Sequence, residues 1–305
     1  MIKKTLYFGN AAYLKKDSLQ LKVEFPADTG KIPRTVPLED IGIIILDHPR
    51  ITVTQGLLSA LIANNAAVLS CDARHLPEGL FMPMSANHTY TEKLRYQLQS
   101  SEPLRKKLWQ QTVKNKIENQ ANVLKRLGVD VENMHYWANK VRSGDPDNYE
   151  ARAAANYWAK WVHGDGRFKR HRHGEVPNNL LNYGYAVLRA IVARSLIGSG
   201  MLPAVGIHHR NKYNPFCLAD DIMEPYRPLV DLLVLEVAED YDSTDIEQLS
   251  PALKAKLLVI PTLDVVIEGE RSPLMIGVQR TTASLMQCFE GVKRKIAYPV
   301  MDQNN

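Results

Sequence analysis

The stretch GIHHRNKYNPFCLADDIMEPYRP, Gly206 to Pro228, sets two adjacent histidines and three carboxylates among Ile, Phe, Leu and Met. Charged groups in apolar company need either mutual pairing or a cation. Asp221 and Glu224, three residues apart, share one face of a helix about one turn apart, with Asp220 rotated away by about 100°. An acidic turn paired with Arg227 accounts for them as well as a metal does. His208 and His209 end the apolar run LPAVGIHH. In an extended segment at most one of them faces a given site, and the alternative reading is one core and one surface histidine. Glu150, in DPDNYEARAAANYW, falls in the opening turns of a helix marked by Pro146 and its Asp and Asn neighbours. The helix macrodipole alone favours an acid there. Ala151, Ala153, Ala154 and Ala155 would let another backbone approach.

Taken together, a Glu, a His and a Glu from three separate elements suit a hard or borderline divalent ion, Mg²⁺ or Mn²⁺. Zinc is disfavoured, because there is no H-E-x-x-H pair and Cys71, Cys217 and Cys288 form no C-x-x-C. The scattered cysteines equally argue against a disulfide framework. A G-x-x-x-x-G-K-[ST] phosphate loop, a G-x-G-x-x-G turn and a G-x-S-x-G elbow are all missing, which disfavours nucleotide hydrolysis and serine-type acyl transfer.

Such residues need a frame, and 305 residues with 45% hydrophobic and 23% charged side chains can build one. The longest apolar runs, such as IGIIIL from Ile41, are too short to cross a bilayer, and MIKKTLYFGN has no apolar stretch after its lysines. A cytoplasmic protein with no membrane association is expected. The Lys and Arg excess, 38 − 33 = 5, permits an anionic partner without demanding one.

The chain changes texture near residue 86. Before it, TLYFG, LQLKVEF, RTVPL, IGIIILD and AAVLSCD read as strands, interrupted by one helix, TQGLLSALIANN, with Thr54 as N-cap and Leu57, Leu58, Leu61 and Ile62 on one face. LPEGLFMPMSANHTY reads as a linker. Beyond it, one long helical pattern offers Leu94, Leu98, Leu108, Val113, Ile117 and Leu124 to a core and stops at Gly128. DNYEARAAANYWAKWV, NYGYAVLRAIVARSLIGSG and PLVDLLVLEVAEDY also read as helices, and LDVVIEGERSPLMIG as a small hairpin or irregular insert.

Candidate phosphate contacts lie in LRKKLWQQTVKNK, with Arg105, Lys106, Lys107, Lys114 and Lys116, and in GRFKRHRHG, with Arg167, Lys169, Arg170 and Arg172. A lysine-rich helix is also what a solvated face looks like. The cation-dense loop, adjacent in sequence to the Glu150 helix, reads as a DNA-backbone element, with His171 and His173 strengthening anion contact rather than ligating. Tyr157, Trp158 and Trp161 at helical spacing read as core or interface, and Tyr183 and Tyr185 as packing near the site.

The ordered set of YEARAAANYW, NNLLNYGYAVLRAIV and GIHHRNKYNPFCLADDIMEPYRPLVD, with KIENQANVL near Lys116, resembles the CRISPR-associated spacer-acquisition endonuclease and integrase family, in the branch that accompanies type II systems. The resemblance spans almost the whole chain. It implies an α+β protein: a small N-terminal β-sheet domain over residues 1–86 that dimerises, then a larger all-helical catalytic and DNA-binding domain over 87–305. It further implies one Mg²⁺ or Mn²⁺ held by the catalytic set Glu150, His209 and Glu224. The family's G-x-x-H pattern aligns Gly206 with His209; His208 is the alternative ligand, and Asp221 a supporting acid. The implied activity is attack by the 3′-hydroxyls of short DNA fragments on repeat phosphodiesters, with nuclease activity as a by-product. Implied partners are double-stranded spacer-precursor and leader-repeat DNA, a second copy of the chain, a small ferredoxin-like adaptation protein and the type II RNA-guided effector nuclease. A generic metal-dependent nuclease and a non-catalytic DNA-binding scaffold are the alternative readings.

Overall fold

Ile41, Ile43, Ile44 and Ile45 are almost fully buried on both faces of one strand, the pattern of a parallel strand at the heart of a sheet. In the computed structural model, residues 3–73, 77–84, 87–162, 168–171 and 174–301 are described. The chain divides into two compact units, Met1–His88 and Thr89–Asn305. The first carries strands β1 (Lys4–Phe8), β2 (Ala12–Asp17), β3 (Gln20–Glu24), β4 (Arg34–Pro37), β5 (Ile41–Leu46) and β6 (Ile51–Val53). Helix α1 (Gln55–Ala63) and strands β7 (Ala67–Cys71) and β8 (Pro77–Phe81) complete it.

Two four-stranded sheets result, ordered β1-β5-β7-β8 and β4-β3-β2-β6. β5 pairs in parallel with β1 and β7, and α1 lies in the crossover between the parallel neighbours β5 and β7. Leu14, Leu21 and Val23 of the second sheet meet Ile41 and Ile44 of the first and Leu57 and Leu61 of α1 in one core. Three strands exceed what the sequence pattern predicts. β2 spans six residues and pairs in parallel with β6, which has three, and β8 occupies the start of the expected linker, pairing antiparallel with β7.

The second unit is helical: α2 (Tyr90–Gln99), α3 (Glu102–Arg126), α4 (Glu132–Lys140), α5 (Tyr149–Trp161), α6 (Asn178–Gly198), α7 (Cys217–Met223), α8 (Arg227–Glu239), α9 (Ser243–Gln248) and α10 (Pro251–Leu257). A two-stranded antiparallel hairpin, β9 (Asp264–Ile267) and β10 (Glu270–Pro273), precedes α11 (Leu274–Phe289), settling the small-hairpin alternative for that segment. The long helical pattern expected after residue 90 is two helices. Ser101 caps the second by accepting from the Leu104 N–H at 3.4 Å, and Pro103 suits its first turn. Arg105 wraps back onto the end of α2, donating to the Ser100 carbonyl at 2.8 and 3.1 Å and to its hydroxyl at 2.9 Å. Leu98 therefore ends half exposed rather than in the core, whereas Leu108, Val113, Ile117 and Leu124 are buried as expected.

α3 packs on α4, α5 and α8, while α6 packs on α7, α8 and α11, so α8 touches both long helices. At Gly184 a Cβ would lie 2.6 Å from Val230, which is the close approach of α6 to α8. By length and mean hydropathy α6 could cross a bilayer, contrary to the expectation that no apolar run is long enough; it is instead buried along most of its length as a core helix.

Candidate active site

Glu150 sits in the first turn of α5, which Asp145 caps from outside: its two carboxylate oxygens accept from the Tyr149 and Glu150 N–H groups at 3.0 and 2.9 Å. Glu224 follows α7 in a single 3-10 turn, Glu224–Tyr226, that Pro225 closes before α8 begins. The two carboxylates, distant in sequence, converge on the ammonium of Lys116, which projects from the buried face of α3. Lys116 Nζ is hydrogen-bonded to Glu150 Oε1 and lies 2.6 Å from Glu224 Oε2. Arg227 completes the set, with its Nε 3.0 Å from Glu224 Oε1.

Burial works to neutralise these groups, and their opposite charges prevent it. Burial alone would raise the Glu224 carboxyl; Arg227 and Lys116 outweigh it and hold it down at about 2. Lys116 is likewise pulled down by burial but held above its ordinary value by Glu224 and Glu150.

The second half of the site is the turn 206–209. Asp221 on α7 is fully buried and serves as its anchor. Its Oδ2 accepts from the Ile207 and His208 backbone N–H groups at 2.8 and 3.0 Å, and its Oδ1 from that of His209 at 3.2 Å. The His209 ring adds a fourth bond, Nδ1 to Oδ1 at 2.5 Å. That bond raises the imidazole above its usual range against the opposing effect of burial, and Glu224 adds to the rise. With Nδ1 tied to a carboxylate, Nε2 is the ring nitrogen left to serve as a ligand. Gly206 permits the turn, since a Cβ there would strike the His209 carbonyl oxygen and lie 2.8 Å from Asp221 Oδ2.

His208 has a different role. Its ring stacks on Trp109 of α3 with centroids 4.1 Å apart and planes 3° from parallel. Burial lowers its pKa. Asp220, on the same short helix, is held by Arg189 at 2.7 Å and Asn214 at 2.7 Å. The shared helical face expected of Asp221 and Glu224 is divided in use, since Asp221 on α7 ties a loop and Glu224, in the 3-10 turn after it, meets cations.

Glu150, Glu224 and Lys116 line a cleft of about 370 Å³, together with Arg170, Tyr185 and Arg227. Arg170, expected at DNA, is fixed there by Asn178 at 3.0 Å and Asn182 at 2.8 Å, with its guanidinium 5.2 Å from the Tyr185 ring centroid. Arg227 lies 4.5 Å from the same ring. Beneath them Asp231 accepts from Tyr157 at 3.0 Å and from Tyr185, and burial pushes its carboxyl up to about 7 against those bonds.

The donor set suits a divalent cation in kind: two carboxylates already gathered on one positive charge, and an imidazole with its far nitrogen tied down. Among the described residues, the buried Gln120 Oε1 on the cleft has no hydrogen-bond donor, and Glu224 Oε2 meets Lys116 alone, at 2.6 Å. Among the described residues, however, no three His, Cys, Asp or Glu side chains stand together at ligating distance. The cation between the carboxylates is Lys116.

Several sequence expectations change. Lys116 is not a surface phosphate contact but an 8%-exposed member of the site, and Arg105 is a cap on α2. Lys106 and Lys107 are exposed, Lys106 pairing with Glu102 at 3.0 Å, and Lys114 donates to Asn139 at 3.3 Å. Lys169 is exposed beside Arg170, while Arg167, Arg172 and His173 lie outside the described residues. Tyr157, Trp161 and Tyr183 are core, whereas Trp158 and Tyr185 reach the cleft. Sequence reading assigned no role to Trp109 or Asp231, and gave Asp145 only a place in the cluster that marks the start of α5. For Asp231 a signal exists, a lone acid inside the apolar run PLVDLLVLE.

The family model for CRISPR associated protein Cas1 matches residues 6–250. The CRISPR-associated endonuclease Cas1 of Neisseria meningitidis serogroup C (strain 8013) is 39% identical over 284 residues, covering 92% of this chain and 90% of that protein. A casposase solved bound to integration product shares the fold with TM-score 0.82 at 20% identity, over 100% of this chain and 96% of that one. A chain of the Cas6-RT-Cas1–Cas2 complex does so with TM-score 0.71 at 19% identity, over 99% of this chain and 36% of that one. With the β-sheet unit, the helical unit and the match over most of its length in agreement, the chain belongs to the CRISPR associated protein Cas1 family.

Proposed function

We propose that this chain is a metal-dependent DNA integrase and endonuclease that inserts short foreign DNA fragments into a CRISPR array. The observation that carries the reading is the convergence of Glu150 and Glu224 on one cation, in a cleft that also presents Arg170 and Arg227. Identity of 39% to a CRISPR-associated endonuclease supports it.

In this reading Glu150, His209 and Glu224 hold a Mg²⁺ or Mn²⁺ ion. When bound, the ion supplies electrostatic stabilisation for the charge that builds on the oxygens of the scissile phosphate. The chain's own groups do the positioning. Arg170 and Arg227 offer guanidiniums to a phosphate entering the cleft, a geometry suited to paired hydrogen bonds. Asp221 fixes the His209 ring through Nδ1, and the cations beside Glu224 keep it ionised across the working pH range. Lys169, Lys106 and Lys107, all exposed, add phosphate contacts along the duplex. As a fragment's 3′-oxygen bonds to phosphorus, the target strand's 3′-oxygen leaves. One phosphodiester replaces another, without a covalent enzyme intermediate.

The partners belong to the same proposal: a homodimer formed through the N-terminal unit, a small ferredoxin-like adaptation protein and a type II effector nuclease, all in the cytoplasm. The likeness to a chain of a Cas1–Cas2 complex supports the second of these. The test is strand transfer of a labelled duplex with free 3′-hydroxyls into a supercoiled plasmid carrying a leader and repeat. Metal-dependent joining, lost in Glu150→Ala, His209→Ala and Glu224→Ala and with blocked 3′ ends, is expected. Unchanged joining in these variants defeats the reading, and cleavage without joining replaces it with a generic nuclease.

A further inference from the structure

Lys116 is an unusual occupant for a metal site. Its side chain is 10% exposed, and its ammonium meets both Glu150 and Glu224 at the point where the two carboxylates converge. Buried lysines persist when their charge is matched, and here two carboxylates and the nearby Arg227 form a set with no net charge. A divalent ion entering that set unchanged would create an excess of two positive charges in a partly buried place. The neutral state is therefore complete without metal. Among the described residues Glu224 Oε2 meets no partner besides Lys116, at 2.6 Å, so a cation that takes the place of the ammonium there breaks no other bond to that oxygen.

We propose that Lys116 is a resident counter-cation that competes with the divalent ion for Glu150 and Glu224, so that it sets the metal affinity of the site and is displaced when metal loads. The proposal rests on the ligand assignment above. Without Lys116 the carboxylates repel one another and attract a cation more strongly; with it they stay gathered but satisfied. The released ammonium is then free to meet a DNA phosphate in the same cleft, which ties metal loading to DNA binding.

The test is Mn²⁺ binding to the purified full-length protein without DNA, by electron paramagnetic resonance and calorimetry, in the parent, Lys116→Met, Lys116→Arg and Glu224→Gln. Binding is expected to tighten about tenfold or more in Lys116→Met, tenfold corresponding to ~1.4 kcal/mol, to stay near the parent in Lys116→Arg, and to weaken sharply in Glu224→Gln. A second measurement needs no variant: Lys116 in the parent should be protected from acetic anhydride in EDTA and acetylated on adding Mg²⁺, read by mass spectrometry. A bridge with a purely structural role would destabilise the protein on removal without tightening Mn²⁺ binding. Binding in Lys116→Met no tighter than in the parent, or Lys116 labelling unchanged by Mg²⁺, overturns the inference alone. Parent-like binding in Glu224→Gln overturns the ligand assignment and the inference with it.

Discussion

Replacing Asp221 with Asn keeps the shape of the side chain and removes the charge that ties the 206–209 turn to α7. The carboxylate receives four donors, two on each oxygen, and it is fully buried. The best fit for Asn leaves its oxygen under the Ile207 and His208 N–H groups and turns its amide nitrogen towards His209. The ring can answer by presenting an unprotonated Nδ1, but the His209 backbone N–H then faces another donor. One orphaned donor costs ~1–3 kcal/mol, and loss of charge assistance in the other bonds adds ~1 kcal/mol, so the expected destabilisation is ~2–4 kcal/mol.

The pH dependence has a definite sign. Asp221 raises the His209 pKa, so its stabilisation is fully present below the ordinary histidine value of about 6.5 and is lost as pH rises through the raised folded value. The difference between parent and Asp221→Asn should therefore be larger near pH ~5.5 than near pH ~9, by a modest amount, because the His209 side chain is 46% exposed and screened. Urea unfolding in EDTA, followed by tryptophan fluorescence, reads the helical unit selectively, since Trp109, Trp137, Trp158 and Trp161 all lie in it. A loss below ~0.5 kcal/mol, or a difference that grows towards alkaline pH, would refute the reasoning.

Gly206→Ala should destabilise the helical unit by ~1–3 kcal/mol through overpacking against the His209 carbonyl and Asp221. It should also lower strand transfer; thermal melts and product yields equal to the parent's would contradict the close approach. Asp231→Asn probes the buried carboxyl under Tyr157 and Tyr185. Burial raises Asp231 from 3.8 to about 7, so the parent bears a growing cost of ionisation as pH rises across that window. Asn bears none, and its stability relative to the parent should climb between those two values and level off above them; a flat difference would show that Asp231 ionises at its ordinary value.

Much of the helical unit was legible because its signals are local. The 3.6-residue periodicity, the Asp and Asn cluster before Tyr149 and the stop at Gly128 mark α5, α6, α8 and the end of α3 with no knowledge of their neighbours. Glu150 in the first turn of α5 followed from the same pattern. The break between α2 and α3 was also written locally, as Ser101-Glu102-Pro103, but a continuous run of apolar positions across it concealed the signal and put Leu98 in the core. β2, β6 and β8 were missed: β6, three residues long, takes its stability from its partner β2, whereas β2 ends in the charged Lys-Lys-Asp and β8, PEGLF, carries the Pro and Gly that mark loops.

The sequence by itself determined which chemical groups exist and which of them share an element: acid at the head of α5, acid just past α7, two histidines after Gly206. Only the tertiary structure decided what each one meets. Lys116 stands on a lysine-rich helix like any solvated residue, and it is buried because α5 and the turn after α7 bring carboxylates to it from outside α3. Asp221 and Glu224 are equivalent by spacing, and they differ because one faces three backbone N–H groups and the other two cations. His208 and His209 are neighbours in sequence and diverge for the same reason, one onto Trp109 and the other onto Asp221. Helical phase is set by bonds four residues apart, whereas the partner of a charge is set by whatever the folded chain carries to it.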